Sequence, residues 1–277
     1  MPTERTRDRS LSTNLPEPAD LVSLLSEASE ELARLPSLER VSDRSVVVVG
    51  DTHGDVETSK KAVEGYLGEG TTLMFLGDYV DRGPFQLENL IFLLEEFLKD
   101  PRRLILLRGN HETPEMNEWY GFREVVNRAY GPEYHHHFWS LFSQLPISAL
   151  IGQKLLAVHG GIARELRTLG QLEELPKGVV SPQGILAELL WNDPDERIDY
   201  FEPSSRGPGT FRYGVKAVSR FLQENGLRSI VRSHEPRPDG ASVEMEGKVY
   251  TVFSCRQYGI KPGALTIHGD DVEAINL

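Results

Sequence analysis

Val46-Val47-Val48-Val49-Gly50-Asp51-Thr52-His53-Gly54-Asp55 places four β-branched apolar residues directly before a polar, glycine-flanked turn. So short a run with turn residues behind it reads as a buried strand that presents its polar cluster at its carboxyl end. The same grammar returns in Leu73-Met74-Phe75-Leu76 before Gly77-Asp78-Tyr79-Val80-Asp81-Arg82-Gly83 and in Leu104-Ile105-Leu106-Leu107 before Arg108-Gly109-Asn110-His111-Glu112. It returns again in Leu155-Leu156-Ala157-Val158 before His159-Gly160-Gly161, and in Ile230-Val231 before Arg232-Ser233-His234-Glu235. Helical patterns fill the gaps, clearest over 87–98 and 215–225, the second stopped by Gly226. Strand–helix alternation gives an α/β core, in which ligands collect outside the carboxyl ends of the strands. All five polar clusters sit at those ends, whereas chance would scatter them over both edges.

Outward from this core the chain divides into three stretches. Residues 1–17 are polar with mixed charges and read as a flexible tail. Residues 18–44 read as a helical extension, because Leu21, Leu24, Leu25, Ala28, Leu32 and Leu35 recur at helical spacing. Residues 45–277 read as a single catalytic domain, and beyond Ser242 its runs over 248–253 and 264–267 are spaced like antiparallel strands.

Of 277 residues, 39% are apolar, ordinary for a globular chain, and no apolar run is long enough to span a bilayer. No leader pattern opens the chain and Cys255 stands alone, so the expectation is a cytoplasmic protein in a reducing compartment, without membrane attachment. A net charge of −12 argues against a nucleic-acid partner. It does not argue against an anionic phosphate substrate, since two divalent cations add about four positive charges inside a site.

Asp51, His53, Asp78, Asn110, His159 and His234 are oxygen and nitrogen donors with no thiolate among them. That set suits two first-row divalent cations, manganese first, with iron or zinc as alternatives. Paired cations need an anion between them, and Asp78 is the bridging carboxylate expected here. Hydrolysis of a serine phosphate needs a nucleophile, charge neutralisation and an acid. A metal-activated water supplies the first, and metals with arginines the second. His111, titratable and beside a ligand, supplies the third. Cys255 is outside any thiolate-activating loop, so no covalent intermediate is expected.

In order and spacing, the GDTHG, GDYVDRG, GNHE and HGG motifs resemble the phosphoprotein phosphatase family of metal-dependent serine/threonine phosphatases. The likeness continues through Trp119-Tyr120-Gly121-Phe122-Arg123-Glu124, Leu190-Trp191-Asn192-Asp193-Pro194, the 206–214 loop and the 254–258 loop, and so covers about residues 45–270. The resemblance implies a calcineurin-like metallophosphatase fold, two packed mixed β-sheets flanked by helices (α/β/β/α). It puts Asp51 and His53 on the first metal, Asp78 between the two, and Asn110, His159 and His234 on the second. Arg82 and Arg206 would clamp the phosphate, with Asn110 also beside it. His111 would protonate the leaving oxygen, Asp81 would orient it, and Tyr258 would close the site. Phosphorylated proteins are the implied partners.

Three departures qualify the likeness. Arg206 lies one residue further from Phe211-Arg212-Tyr213-Gly214 than the family spacing, so Arg212 competes for its role. The 254–259 loop lacks the family's Pro-Asn pair, and the short chain resembles compact archaeal or bacterial members. A dinucleoside polyphosphate hydrolase, sharing the same four motifs, is the alternative enzyme. An inactive phosphoprotein-binding scaffold is the alternative from another class, disfavoured because every ligand and the acid are present. Other features read as structural: His135-His136-His137 as partly packed and partly solvated, His268 as an exposed turn residue, and Cys255 as a buried strand residue. Asp55 and Glu112 stand open between bracing the ligands and capping at the surface.

Overall fold

All four valines of Val46–Val49 are buried because the strand is covered on both faces. Val46 and Val48 face a second sheet, and Val47 and Val49 face helices. In the computed structural model, which describes residues 15–42, 45–68 and 70–277, this strand is the middle of a five-stranded sheet. It pairs in parallel with Thr72–Phe75, which pairs in parallel with Leu104–Leu106. On its other side Gly263–His268 runs antiparallel, followed by Asp271–Asn276.

The second sheet has six strands in the order Leu38–Val41, Ser148–Ile151, Leu155–Val158, Ser229–Arg232, Val249–Val252, Ala241–Glu244. Val48, Met74 and Leu107 from the first sheet meet Ala157, Val231 and Val252 from the second in a shared apolar layer. Helices Pro18–Arg34, Gln86–Lys99 and His135–Ser143 cover the outer face of the first sheet, and Ile185–Trp191 and Val215–Asn225 that of the second. The layering is α/β/β/α, as the sequence implied.

The N-terminal extension is not helical throughout, though its helix packs on the main domain. Its helix ends at Arg34 because Leu35 precedes Pro36 and is held extended, at φ −77° and ψ 148°. Leu38–Val41 then pairs in parallel with Ser148–Ile151. The helix buries Leu21, Leu25, Ala28 and Leu32 in the core that holds Phe97, Phe138 and Leu141. Residues 1–14 of the expected tail lie outside the described residues. The end of that tail is held: Leu15 packs against the helical core and the Pro16 carbonyl accepts from the Tyr130 hydroxyl at 2.9 Å.

Other differences are local. Val249–Val252 is antiparallel only to Ala241–Glu244 and runs parallel to Ser229–Arg232. A third small sheet of Asp193–Pro194, Phe211–Tyr213 and Phe201–Pro203 was not expected, its strands being too short to show a period. His268 is exposed but ends a strand, and Cys255 is fully buried in a loop rather than in a strand. In the histidine tract His135 is buried and His136 exposed.

Candidate active site

Strands Val46–Val49, Thr72–Phe75 and Leu104–Leu106 run parallel in one sheet, Leu155–Val158 and Ser229–Arg232 in the other. Four of their carboxyl-end loops line one cleft of about 460 Å³, with Asp51, His53, Asp78, Arg82, Asn110, His111 and His234 on its wall beside Arg206 and Tyr258, while His159 from the fifth loop is fully buried behind it. The loops are tightly wound. His53, Asp78, Asp81, Arg82 and His234 all have positive φ, between 42° and 71°, which for non-glycine residues marks backbone held in a sparsely populated region. Gly109 makes room for this: a Cβ there would lie 2.2 Å from Asp78 Oδ1.

The donors converge. His53 Nδ1 and His159 Nδ1 face the carbonyls of Val80 (2.8 Å) and Leu76 (2.9 Å), which turns each Nε2 toward the cluster. His53 Nε2 lies 3.7 Å from Asp51 Oδ2 and 3.6 Å from Asp78 Oδ2. His159 Nε2 lies 3.4 Å from Asp78 Oδ1, 3.0 Å from Asn110 Oδ1 and 3.1 Å from His234 Nδ1. Two groups of atoms spaced for a metal result, His53–Asp78–His111 and Asp78–His159–His234, and Asp78 belongs to both. Asp78 is thus the carboxylate common to both groups, while Asp51 is in neither and His111, expected as the acid, is in the first.

The electrostatics fit a cation. Burial first, then Asp51 and Glu112, pushes the Asp78 carboxyl well above its usual range, and burial raises Asp51 to about 6. Burial holds His53, His159 and His234 well below the ordinary imidazole value, so they are neutral donors. Carboxylates crowded this way among neutral imidazoles are a costly arrangement that a divalent cation offsets.

Asp81 Oδ2 meets His111 Nδ1 at 2.7 Å, and burial pushes Asp81 up to about 7 while lowering His111. The Arg82 guanidinium sits 4.2 Å from the centre of the Tyr120 ring. Arg206 pairs with Asp193, starting an alternating chain through Arg232, Glu235, Arg237 and Glu244. Arg212 turns away to Asp195 (2.5 Å) and Glu202 (2.9 Å) in a neighbouring depression, so the structure brings Arg206 and not Arg212 to the cleft. Tyr258 stacks on His53 with centroids 5.8 Å apart.

Glu112 and Asp55 are fully buried braces rather than surface caps. Glu112 accepts from the backbone N–H of Asp78, Tyr79 and Gly109, joining two of the loops. Asp55 caps helix Val56–Tyr66 and binds Arg256 at 2.6 Å, fastening the loop that carries Tyr258. Sequence reading missed Asp193, although its Trp-Asn-Asp-Pro setting was visible. It also missed the apolar rim of Met116, Trp119 and Trp191, in which Trp119 is 81% exposed.

A fold of this layering, with two adjacent donor groups sharing one aspartate and a pair of arginines above them, defines a metal-dependent phosphoesterase. A family profile described as calcineurin-like phosphoesterase matches residues 44–238. The chain is 35% identical over 252 residues to the serine/threonine-protein phosphatase 6 catalytic subunit of Caenorhabditis elegans, covering 90% of this chain and 75% of that one. It superposes with TM-score 0.87 and 30% identity on a protein serine/threonine phosphatase from Saccharomyces cerevisiae with similarity to human phosphatase PP5, covering 95% of this chain and 90% of that chain. A cold-active protein-tyrosine phosphatase of Shewanella shares the fold alone, at TM-score 0.64 and 20% identity over 89% of this chain and 84% of that chain. The chain belongs to the calcineurin-like phosphoesterases, in the phosphoprotein phosphatase family of metal-dependent serine/threonine phosphatases. The expected archaeal or bacterial character is not borne out, since the relatives with 30% identity or more described above come from a nematode and a yeast.

Proposed function

We propose that this chain removes phosphate from phosphoserine and phosphothreonine side chains of proteins, with His111 as the acid and Arg82 and Arg206 as the phosphate clamp. The observation that carries the reading is the His111–Asp81 pair, 2.7 Å apart, in one cleft with both arginines and the donor cluster. Asp51, His53 and Asp78 would hold one cation, and Asp78, Asn110, His159 and His234 the other. Manganese is the metal we assign, from oxygen and nitrogen donors without thiolate. When bound, the cations supply a water ionised near neutral pH and offset the charge of the phosphoryl group.

The chain's own residues do the rest. Planar guanidinium forks match phosphate oxygens, and Tyr120 and Asp193 hold the two forks in place. With Nδ1 facing Asp81, His111 presents Nε2 to the cleft; in the form of the pair that carries one further proton, Asp81 supports the imidazolium against the burial that lowers it, and Nε2–H gives that proton to the seryl oxygen as the P–O bond breaks. Asn110 and Tyr258 line the same cleft, where Asn110 would reach the phosphate and Tyr258 would close over it.

Stripping metal with a chelator, restoring manganese and comparing a phosphoserine peptide, a phosphotyrosine peptide and a dinucleoside tetraphosphate tests the reading. Preferred turnover of the phosphoserine peptide is expected. Preference for the dinucleotide would replace the assignment, and no turnover of any substrate would remove it.

A further inference from the structure

Behind the acid pair lies a buried amide that no part of the proposed chemistry uses. Asn117, on the short helix Pro114–Tyr120, is fully buried and does not line the cleft. Its Nδ2 donates to Asp81 Oδ2 at 3.2 Å and to the His111 carbonyl at 2.8 Å. The backbone N–H of Phe122 donates to Asp81 Oδ1 at 2.9 Å, so both oxygens of that carboxylate are engaged.

An asparagine amide can turn over and present oxygen where nitrogen was, and here that would set a lone pair against the Asp81 carboxylate. Trp139 prevents it. Its indole Nε1 donates to Asn117 Oδ1 at 3.3 Å, an interaction that only the observed orientation allows. The indole is fixed in turn on helix His135–Ser143 by stacking on His135, centroids 5.3 Å apart at 18°, and His135 Nε2 pairs with Asn127 Oδ1 at 2.8 Å.

We propose that Asn117, locked by Trp139, is a positioning residue for ester cleavage. It holds the Asp81 carboxylate and the His111 main chain so that His111 Nε2 meets the leaving oxygen. The inference rests on His111 being the acid. An aryl phosphate with a nitrophenolate leaving group needs no acid, whereas a seryl ester does. Asn117 lines no part of the cleft and touches none of the six side chains assigned to the cations, its contacts being Asp81, the His111 main chain and Trp139, so its loss is expected to act on kcat for the seryl ester.

The test uses the full chain loaded with manganese, a phosphoserine peptide and p-nitrophenyl phosphate. Asn117→Ala is expected to lower kcat on the peptide roughly 10- to 100-fold, the worth of a hydrogen bond to a charged group. It should leave KM unchanged and alter p-nitrophenyl phosphate turnover by less than about 3-fold, the acid being dispensable there. Trp139→Phe keeps the ring, serves if Asn117→Ala does not fold, and should show the same selectivity at about 3- to 10-fold, as for one neutral hydrogen bond. Added to Asn117→Ala, it should bring no further selective loss, because its effect passes through the amide. His111→Asn, measured alongside, separates the possible failures. If it slows the peptide selectively while Asn117→Ala and Trp139→Phe slow both substrates alike or neither, the positioning role is overturned and the acid stands. If His111→Asn itself slows both substrates equally, the acid assignment falls and the role of Asn117 with it.

Discussion

Glu112→Gln measures how far the donor loops depend on support from behind. Glu112 Oε2 accepts from Asp78 N at 2.8 Å and Gly109 N at 2.9 Å, and Oε1 accepts from Tyr79 N at 2.9 Å. In glutamine one of these atoms becomes a donor. The better orientation keeps oxygen on Asp78 and Gly109 and turns the new NH2 against the Tyr79 N–H. One charge-assisted bond is lost, about 1.5–3 kcal/mol, and one buried amide is left unpaired, about 1–3 kcal/mol. Burial pushes the Glu112 carboxyl up to about 7, so removing its charge returns part of that cost. We set the net loss at about 2 kcal/mol, which in a chain of this size lowers Tm by roughly 4–8 °C. Because Asp78 sits on one of the released loops, affinity for manganese should fall about 10- to 100-fold, as for partners that orient ligands. Thermal unfolding with and without manganese, together with a manganese titration of activity, reads both effects. Unchanged Tm and an unchanged manganese requirement would show that the loops hold themselves and would refute the reasoning.

Arg206→Ala should reduce kcat/KM on a phosphoserine peptide by about 100-fold or more, whereas Arg212→Ala, whose partners lie outside the cleft, should stay within about 3-fold. Equal losses would mean that both arginines reach the phosphate. Chelation should abolish activity. Because the donors bind only when deprotonated and burial raises Asp51 to about 6, the manganese concentration giving half-maximal activity should rise as pH falls below about 6; a requirement flat in pH would contradict the donor set. Asp195, held well below the usual carboxylate range first by its hydrogen bond to Arg197, stabilises the fold above about pH 4, and that stability is lost as pH falls toward its folded value. Asp195→Asn should therefore lower stability at pH 7 but flatten the decline below pH 4 in denaturant unfolding, and an identical acid limb would contradict it.

The five strand ends and six donors were legible in the sequence because each lies within a few residues of a signal that composition carries: a short apolar run, then glycine and acid. Leu38–Val41 was not legible, since Leu-Glu-Arg-Val is four residues long and shows no apolar–polar alternation to set against the helical pattern before it. Leu35-Pro36, which ends the helix, was the available clue. The choice between Arg206 and Arg212 could not be made from spacing, because it depends on which way one side chain leaves a loop and the other leaves the three-residue strand Phe211–Tyr213. Arg206, paired with Asp193, lines both the cleft and the neighbouring depression, whereas Arg212, paired with Asp195 and Glu202, lines the depression alone. Glu112 and Asp55 were ambiguous for the same reason. A carboxylate beside a ligand serves as brace or surface cap according to burial, and burial is a property of the assembled loops.

Local charge accounts for an acidic chain of net −12 acting on a dianion. Within the cleft Asp51 and Asp78 contribute about two negative charges and Arg82 and Arg206 about two positive, so the bare site is near neutral, and two dications would take it to about +4. That field persists only if Arg206 is held without being neutralised. Asp193 would cancel it if the two stood alone, but Asp193 also serves the fully buried Arg232; the chain's three arginines and three carboxylates balance as a whole, and the member at its cleft end is an arginine. The sharing also sets the consequence of its loss. Asp193→Asn frees Arg206 and leaves Arg232 short of one carboxylate in a buried setting, a change that costs about 3–5 kcal/mol where a buried pair is broken from one side. The variant should therefore lose stability as well as phosphate affinity, whereas Arg206→Ala, acting at the exposed end of the chain, should lose affinity with little change in Tm. Equal destabilisation by the two variants would mean that Arg206, and not Arg232, is the partner for which Asp193 is kept.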